Sequence, residues 1–281
     1  MSDLIAVVTT SEKRKRLLIL LRDGPRLWNE IQTQLNVTPS GMLPQIKILE
    51  DEGLIFKEGK QFHLTDLGRL VVFHLEPFDK TLKVIDQQKK FWQEHDIEAI
   101  PQEFFVRIGE IKNPQILEAG IEESFEPHNQ FLEMILQSKK VAGLSPIVHP
   151  IYPRFFLTLA QEGHDVQLIL TKGAYKKVKK EYYDMLLEAL QYKNARLSIY
   201  EDDVRFAYIV TDIYFSMSLF MKNGIFDSTR DIVSNDPSAI RYGEDLFSHF
   251  LKKSLPVNMD GTFDSRYKSL IQQNREQRSH S

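Results

Sequence analysis

Between Trp28 and Gly68 the chain sets out a short helix, a turn, a second helix and a tight hairpin, an order that leaves few folds open. Leu27, Ile31 and Leu35 recur every four residues, the period of one helical face. In the segment Leu35-Asn36-Val37-Thr38-Pro39-Ser40, Thr38 is placed to cap the next helix. Pro39 then takes its first position, where a missing N–H costs nothing. Leu43, Ile46 and Leu49 are expected to face the core, leaving Ser40, Gly41, Pro44, Gln45 and Lys47 on the opposite face. Pro44 conflicts with a regular helix, because it removes a backbone hydrogen bond. Either the helix kinks there or it starts later, near Gly41 or Met42. Phe56-Lys57, the turn Glu58-Gly59-Lys60 and Gln61-Phe62-His63-Leu64 then read as a β-wing with cationic tips. Such a module presents a helix to the DNA major groove.

The flanking sequence supports the same module. Ser11 is a good N-cap for a helix ending near Asp23-Gly24-Pro25, with Leu17 to Leu21 largely buried. Thr65-Asp66 opens a further helix. Global charge does not advertise nucleic-acid binding: the net charge is −3. The first 74 residues hold ten basic and nine acidic side chains, so the distribution matters more than the total. Lys13-Arg14-Lys15-Arg16 is concentrated at one end, and reads either as a solvated surface run or as a phosphate grip. Beside a helix-turn-helix the second reading is preferred. On it, Ser40, Gly41, Gln45 and Lys47 meet bases, while Arg14, Lys15, Lys57 and Lys60 hold phosphates.

Hydrophobic content of 42% with 27% charged residues is that of a globular protein, not a disordered one. No apolar run approaches the roughly 18 residues that span a membrane, and Asp3 stands where a signal peptide carries basic residues. A cytoplasmic location is expected. With no cysteine, thiolate chemistry, disulfides and iron–sulfur ligation are excluded. The scattered histidines give no metal-ligand spacing.

From Pro77 to about Glu94, Leu82, Ile85, Phe91 and Trp92 fall at helical spacing among charged residues. This linker helix either pairs with a second copy or packs on its own domain. Beyond Ile100-Pro101 strands alternate with helices. Strands are expected at Val141–Ser145, Val166–Thr171, Arg196–Tyr200, Phe206–Thr211 and Tyr214–Met221. Helices are expected at Tyr152–Gln161, Ala174–Tyr192 and Ser238–Lys252, with Asp227 to Asp231 a capped turn or part of a pocket. The expected fold is α+β / α/β: an N-terminal winged helix-turn-helix over residues 1–75, a linker helix over 76–100, an α/β domain with a mixed sheet over 101–256, and a polar tail over 257–281.

The phrase Leu64-Thr65-Asp66-Leu67-Gly68 after a wing resembles the close of an archaeal or bacterial winged helix. Glu126-Pro127-His128, Leu144-Ser145-Pro146-Ile147-Val148-His149-Pro150 and Leu168-Ile169-Leu170-Thr171 follow. Phe226-Asp227-Ser228-Thr229-Arg230-Asp231 and Tyr242-Gly243-Glu244-Asp245-Leu246-Phe247 complete the series. In that order they resemble the archaeal methanogenesis regulatory protein family of winged-helix transcription regulators. The resemblance covers nearly the whole chain. It implies an archaeal transcription factor whose C-terminal domain is a sensor related in fold to phospholipase D-like domains.

Phospholipase D chemistry needs a histidine with a lysine two residues on. His128, His149, His164 and His249 have Gln130, Ile151, Val166 and Leu251 there, so a non-enzyme is expected. For a ligand site the candidates are His149, Tyr152, Arg154, Thr171 and Lys172, near the carboxyl ends of two strands where open α/β sheets bind ligands. His149 either contacts a ligand or fixes a loop. Thr171-Lys172-Gly173 either holds an anion or simply caps a helix. The sequence therefore predicts a homodimeric regulator of double-stranded DNA with a small-molecule effector, no cofactor, no metal and no membrane association. A scaffold of transcription complexes is the alternative, and a phosphodiester hydrolase with a DNA-targeting domain the remoter one.

Overall fold

The computed structural model describes residues 3–118 and 129–263. Glu126-Pro127-His128 and the tail beyond 263 lie outside the described residues. The chain falls into two compact units, residues 1–80 and 81–281.

The first unit runs α1 (Leu4–Thr9), α2 (Glu12–Leu21), β1 (Arg26–Leu27), α3 (Trp28–Leu35), α4 (Pro39–Asp51), β2 (Ile55–Glu58), β3 (Gln61–Leu64) and α5 (Asp66–Gln87). The three strands form one antiparallel sheet in the order β1-β3-β2. This is a winged helix. The Ser11 hydroxyl accepts from the Arg14 N–H at 3.4 Å and starts α2, while Glu30 Oε2 accepts from the Leu27 N–H at 2.6 Å and starts α3. Asn36, at φ 51°, turns the chain from α3 toward α4. Two left-handed glycines frame the hairpin, Gly53 at φ 67° before β2 and Gly59 at φ 58° in the turn to β3. Gly68 is required for another reason: a Cβ there would stand 1.9 Å from the Leu54 carbonyl oxygen. Leu17, Leu18, Ile31, Met42, Leu49 and Leu54 are completely buried and make the core.

Two features of α4 differ from expectation. Met42, Ile46 and Leu49 form its buried face, whereas Leu43 is 49% exposed. The helix begins at Pro39 and continues through Pro44. Pro44 is exposed, so its ring meets solvent and the helix tolerates the lost bond. Thr38 holds the N-cap position, yet its hydroxyl makes no capping bond and lies 3.4 Å from the Ser40 hydroxyl. The long α5 passes without interruption through the boundary drawn at residue 75, and it contains Pro77.

The second unit continues with α6 (Lys89–Glu94), α7 (Gln102–Phe105), β4 (Gln115–Glu118), α8 (Asn129–Leu136), β5 (Lys140–Ser145), α9 (Tyr152–Gln161), β6 (Asp165–Thr171), α10 (Lys172–Glu181) and α11 (Tyr183–Ala189). It closes with β7 (Ala195–Tyr200), β8 (Phe206–Thr211), β9 (Phe215–Leu219), β10 (Arg230–Ser234), α12 (Pro237–Leu251) and β11 (Leu255–Pro256). Eight strands form a mixed sheet in the order β11-β7-β6-β5-β8-β9-β10-β4. The pairs β5–β6 and β6–β7 are parallel and the remaining pairs antiparallel. The helix expected over 174–192 is two helices, broken at Tyr182 with φ −137°. Arg230 to Ser234 is a strand, where the sequence suggested a turn extending to Asp231.

Helix α12 packs on one sheet face with Phe206, Tyr208, Phe215 and Met217. The other face carries Val141, Val166 and Ile199 beneath α9, α10 and α11. Gly143, Ala195, Ala207, Ser216 and Ser218 are small residues on that second face, by strand alternation and register. Strand β10 illustrates the alternation sharply. Arg230 points to Asp227 and Glu94, whereas its neighbour Asp231 accepts a hydrogen bond from Ser218 on the opposite face.

Around Arg230 a buried polar cluster ties α6 to the sheet. Arg230 donates to Asp227 at 2.9 Å and to Glu94 at 2.6 Å. His95, fully buried, places Nε2 3.0 Å from Asp227 Oδ2 and Nδ1 2.7 Å from the Phe91 carbonyl. Burial alone would raise the Asp227 carboxyl, but the hydrogen bonds from His95 and Thr229 overcome it and hold the group well below the usual carboxylate range.

Candidate nucleic-acid interface and ligand cavity

The exposed face of α4 carries Ser40, Leu43, Pro44 and Lys47. Lys47 pairs with Asp51 one turn on, at 2.8 Å, and its side chain remains 70% exposed. Because Pro44 has no N–H, the Ser40 carbonyl lacks its usual helical donor and faces outward at the start of the helix. Across the unit, Lys60 stands in the two-residue turn of the wing and is exposed. The Lys57 ammonium lies 5.6 Å from the centre of the Phe62 ring, while Phe56 stacks on His63 with centroids 5.0 Å apart. The wing is therefore stiffened by its own aromatics.

Arg14 and Lys15 are engaged within the unit. Arg14 donates to Gln45 Oε1 at 2.8 Å and to the Val7 carbonyl at 2.6 Å, fixing α2 against α1 and α4. Gln45 is thereby engaged as well, accepting also from Ser11 at 3.2 Å. Lys15 sits 2.6 Å from the buried Asp79 and 2.7 Å from Glu12. Burial works against its ammonium, but the bonds to those two carboxylates raise it above the ordinary lysine value. Within the same basic run it is Lys13 and Arg16 that are exposed. Lys13 reaches the Gly41 carbonyl at 3.3 Å, and a Cβ on Gly41 would meet its ammonium at 2.7 Å. Helical phase alone accounts for Arg14, which falls among Leu17, Leu18 and Leu21 on the buried face, whereas Lys15 lies off that face and is engaged by Asp79 and Glu12.

The five expected ligand contacts do not come together. Thr171 is the N-cap of α10, its hydroxyl accepting from the Ala174 N–H at 3.4 Å, and Lys172 lies 3.7 Å from Glu201. Arg154 is exposed. His149 Nδ1 accepts from the Ile151 N–H at 3.4 Å, and its ring lies 5.5 Å from that of Tyr152. Tyr152 alone of the five lines a cavity of about 160 Å³ inside the second unit. That cavity opens between the small-residue face of the sheet and helices α9 and α11, with Phe156, Leu168, Met185 and Leu186 among its walls. Its polar margin includes Ser218 and Asp231.

Residues 124–253 match the family described as methanogenesis regulatory protein FilR1, middle domain, and residues 2–87 match the HVO_A0261 N-terminal domain. The chain is 23% identical over 272 residues to the methanogenesis regulatory protein FilR1 of Methanothrix harundinacea (strain 6Ac). Over these residues the chain is similar to the FilR1 family. The match covers 95% of this chain and 61% of that protein, so the chain spans about three-fifths of its curated relative. A solved structure of TrmBL2, an archaeal chromatin protein with a novel mode of DNA binding, aligns at 12% identity and a TM-score of 0.41, over 90% of this chain and 99% of that one. The FilR1 middle-domain match contains the cavity strands, α9, α11 and the Asp227–Arg230 cluster. No helix among the described residues is long and apolar enough to cross a membrane.

Proposed function

We propose that this chain is a FilR1-type transcription regulator that binds double-stranded DNA through α4 and the wing, as a homodimer, and senses a small molecule with its second unit. The observation that carries the reading is the exposed α4 face, Ser40, Leu43, Pro44 and Lys47, presented beside a wing tipped by Lys60 over a fully buried core. Lys47, Lys57, Lys60 and Lys13 supply phosphate contacts, and Ser40 and Leu43 reach base edges, with Gln45 and Arg14 holding the helix in place. The near-neutral unit makes few phosphate contacts, so one copy holds DNA weakly and two copies are needed.

The apolar stripe on α5 supports the dimer. Leu70, Phe73 and Phe78 are exposed there, at 59%, 73% and 54%, and Leu70 and Phe78 share a groove with Ile5 of α1. A second copy covers these side chains in the proposed assembly. The regulation is of binding, not of catalysis: the chain acts as a switch without chemistry of its own.

Fluorescence anisotropy with the chain's own promoter and with random duplex, at moderate salt, tests the reading. Preference for the promoter, lost together with dimerisation in Phe73→Glu by sedimentation, is the expected result. Equal affinity for both duplexes at every salt concentration overturns specific recognition, and an unchanged dimer in Phe73→Glu overturns the α5 interface.

A further inference from the structure

We infer that the cavity between the sheet and α9/α11 is the effector site, and that its ligand is a compact, predominantly apolar molecule ending in one hydrogen-bond donor, a hydroxyl or an amine, set against Asp231. The inference rests on reading the second unit as a sensor, and names the chemistry of what it senses.

The space is a product of sequence. On the second sheet face the inward positions Gly143, Ala195, Ala207, Ser216 and Ser218 are small, where bulky side chains would have filled the layer. Around them stand Leu168, Phe156, Met185 and Leu186. An apolar void near 150 Å³ stays dry and takes up a molecule the size of benzene, and this one has about 160 Å³. The body of the ligand is therefore a single ring or a short branched chain.

One end of the cavity is polar and built to accept a donor. Asp231 projects from β10 and accepts from the Ser218 hydroxyl. The Tyr152 hydroxyl is raised above its ordinary value, chiefly by burial and then by the Asp231 charge. Behind the lining, Tyr214 is only 1% exposed, its hydroxyl has no hydrogen-bond partner among the described residues, and the same two causes raise it. Two protonated phenols and a carboxylate thus share one region. A hydroxyl or amine on the ligand gives Asp231 and the Tyr152 hydroxyl, both on the lining, a polar partner at this end of the cavity. An anionic end group would meet the Asp231 carboxylate in a water-poor site and be rejected. The one other charged side chain on the lining, Arg196, is already paired with Asp165 and 55% exposed.

Calorimetric melting of the full chain tests the assignment with three probes: 2-phenylethanol, 2-phenylethylamine and phenylacetate. The alcohol and the amine, each at about five times its dissociation constant, are expected to raise the melting temperature by roughly 2–4 °C, and phenylacetate is expected to bind at least about tenfold more weakly. Ala207→Leu fills the cavity and abolishes both shifts. Asp231→Asn, which keeps the shape, erases the preference for amine over phenylacetate and serves if Ala207→Leu does not fold. Equal binding of phenylacetate and the amine overturns the inference. So does the absence of any shift at 20 mM probe on the order of solubility limits, or an undiminished shift in Ala207→Leu. Because promoter binding is read separately by anisotropy, failure of the probes with intact promoter preference removes the cavity ligand and leaves the DNA-binding reading standing.

Discussion

In the first unit, chemistry faces outward: Lys47 and Lys60 stand in solvent while Leu17, Ile31, Met42 and Leu49 beneath them are closed to it. In the second unit the relation is inverted. Its sheet face of Gly143, Ala207, Ser216 and Ser218 leaves room inside, and the polar side chains that matter, Asp231 and Tyr152, point inward. The difference teaches which substitutions separate fold from function. On the winged helix a surface residue can be removed at little structural cost. Around the cavity, every residue is at once wall and contact.

The sharpest way to break this comparison is at the second unit's buried cluster. Asp227→Asn removes the carboxylate that faces the buried His95 ring and one of the two that hold the Arg230 guanidinium, and is expected to cost about 3–5 kcal/mol. Its pH dependence has a fixed sign. The folded carboxyl lies below its unfolded value near 3.9, so the stabilisation is complete above about pH 4 and is lost as pH falls further. Chemical denaturation at pH 7 and at pH 3 should show the gap between the native chain and Asp227→Asn narrowing on acidification. A gap that widens contradicts the assigned ionisation.

Leu49→Ala in the first unit is expected to cost about 2–5 kcal/mol, since its side chain is fully buried. If the two units unfold separately, calorimetry will move one transition with Leu49→Ala and the other with Asp227→Asn. A single transition displaced by both substitutions would abolish the division on which the comparison stands.

Smaller effects divide the basic side chains. Lys15→Ala removes the ammonium paired with the buried Asp79 and should cost roughly 1–3 kcal/mol, while leaving the salt dependence of DNA binding as it was. Lys60→Ala should do the reverse: stability within about 0.5 kcal/mol, with the slope of log affinity against log salt reduced by about 1. Lys13→Ala is expected to behave as Lys60→Ala, and a destabilising Lys13→Ala would return that residue to the fold.

Where one periodic signal was available, the sequence was sufficient. The hairpin at Gly59-Lys60, the start of α2 at Ser11, the parallel strands β5, β6 and β7 and the antiparallel pair β8–β9 lie where turn chemistry and apolar runs placed them. It fell short where two patterns competed. On α4 both Met42 and Leu43 are large and apolar, and the choice between them depends on the angle at which the helix meets α2. Arg230-Asp231 reads as turn chemistry, because a strand carrying opposite charges on its two faces shows no apolar alternation. Arg14 and Lys15 illustrate the same limit for function. A basic run states how many cations are present, but the helical phase and the carboxylate at Asp79, far along the chain, decide which are consumed. The cavity was invisible for a related reason: only strand register pairs Ala207 with Ser218 and puts Gly143 on the same face.

The adjacency of Arg230 and Asp231 makes β10 self-registering. A slip of one residue would send the guanidinium into a layer walled by Phe156 and Leu168 and set the Asp231 carboxylate beside Asp227 and Glu94. Both displaced charges would be buried against the wrong neighbours, so the misaligned sheet is penalised twice by a single error. Apolar strands align by shape; this one is keyed by sign, and the same two residues that separate the cavity from the cluster forbid the chain to confuse them.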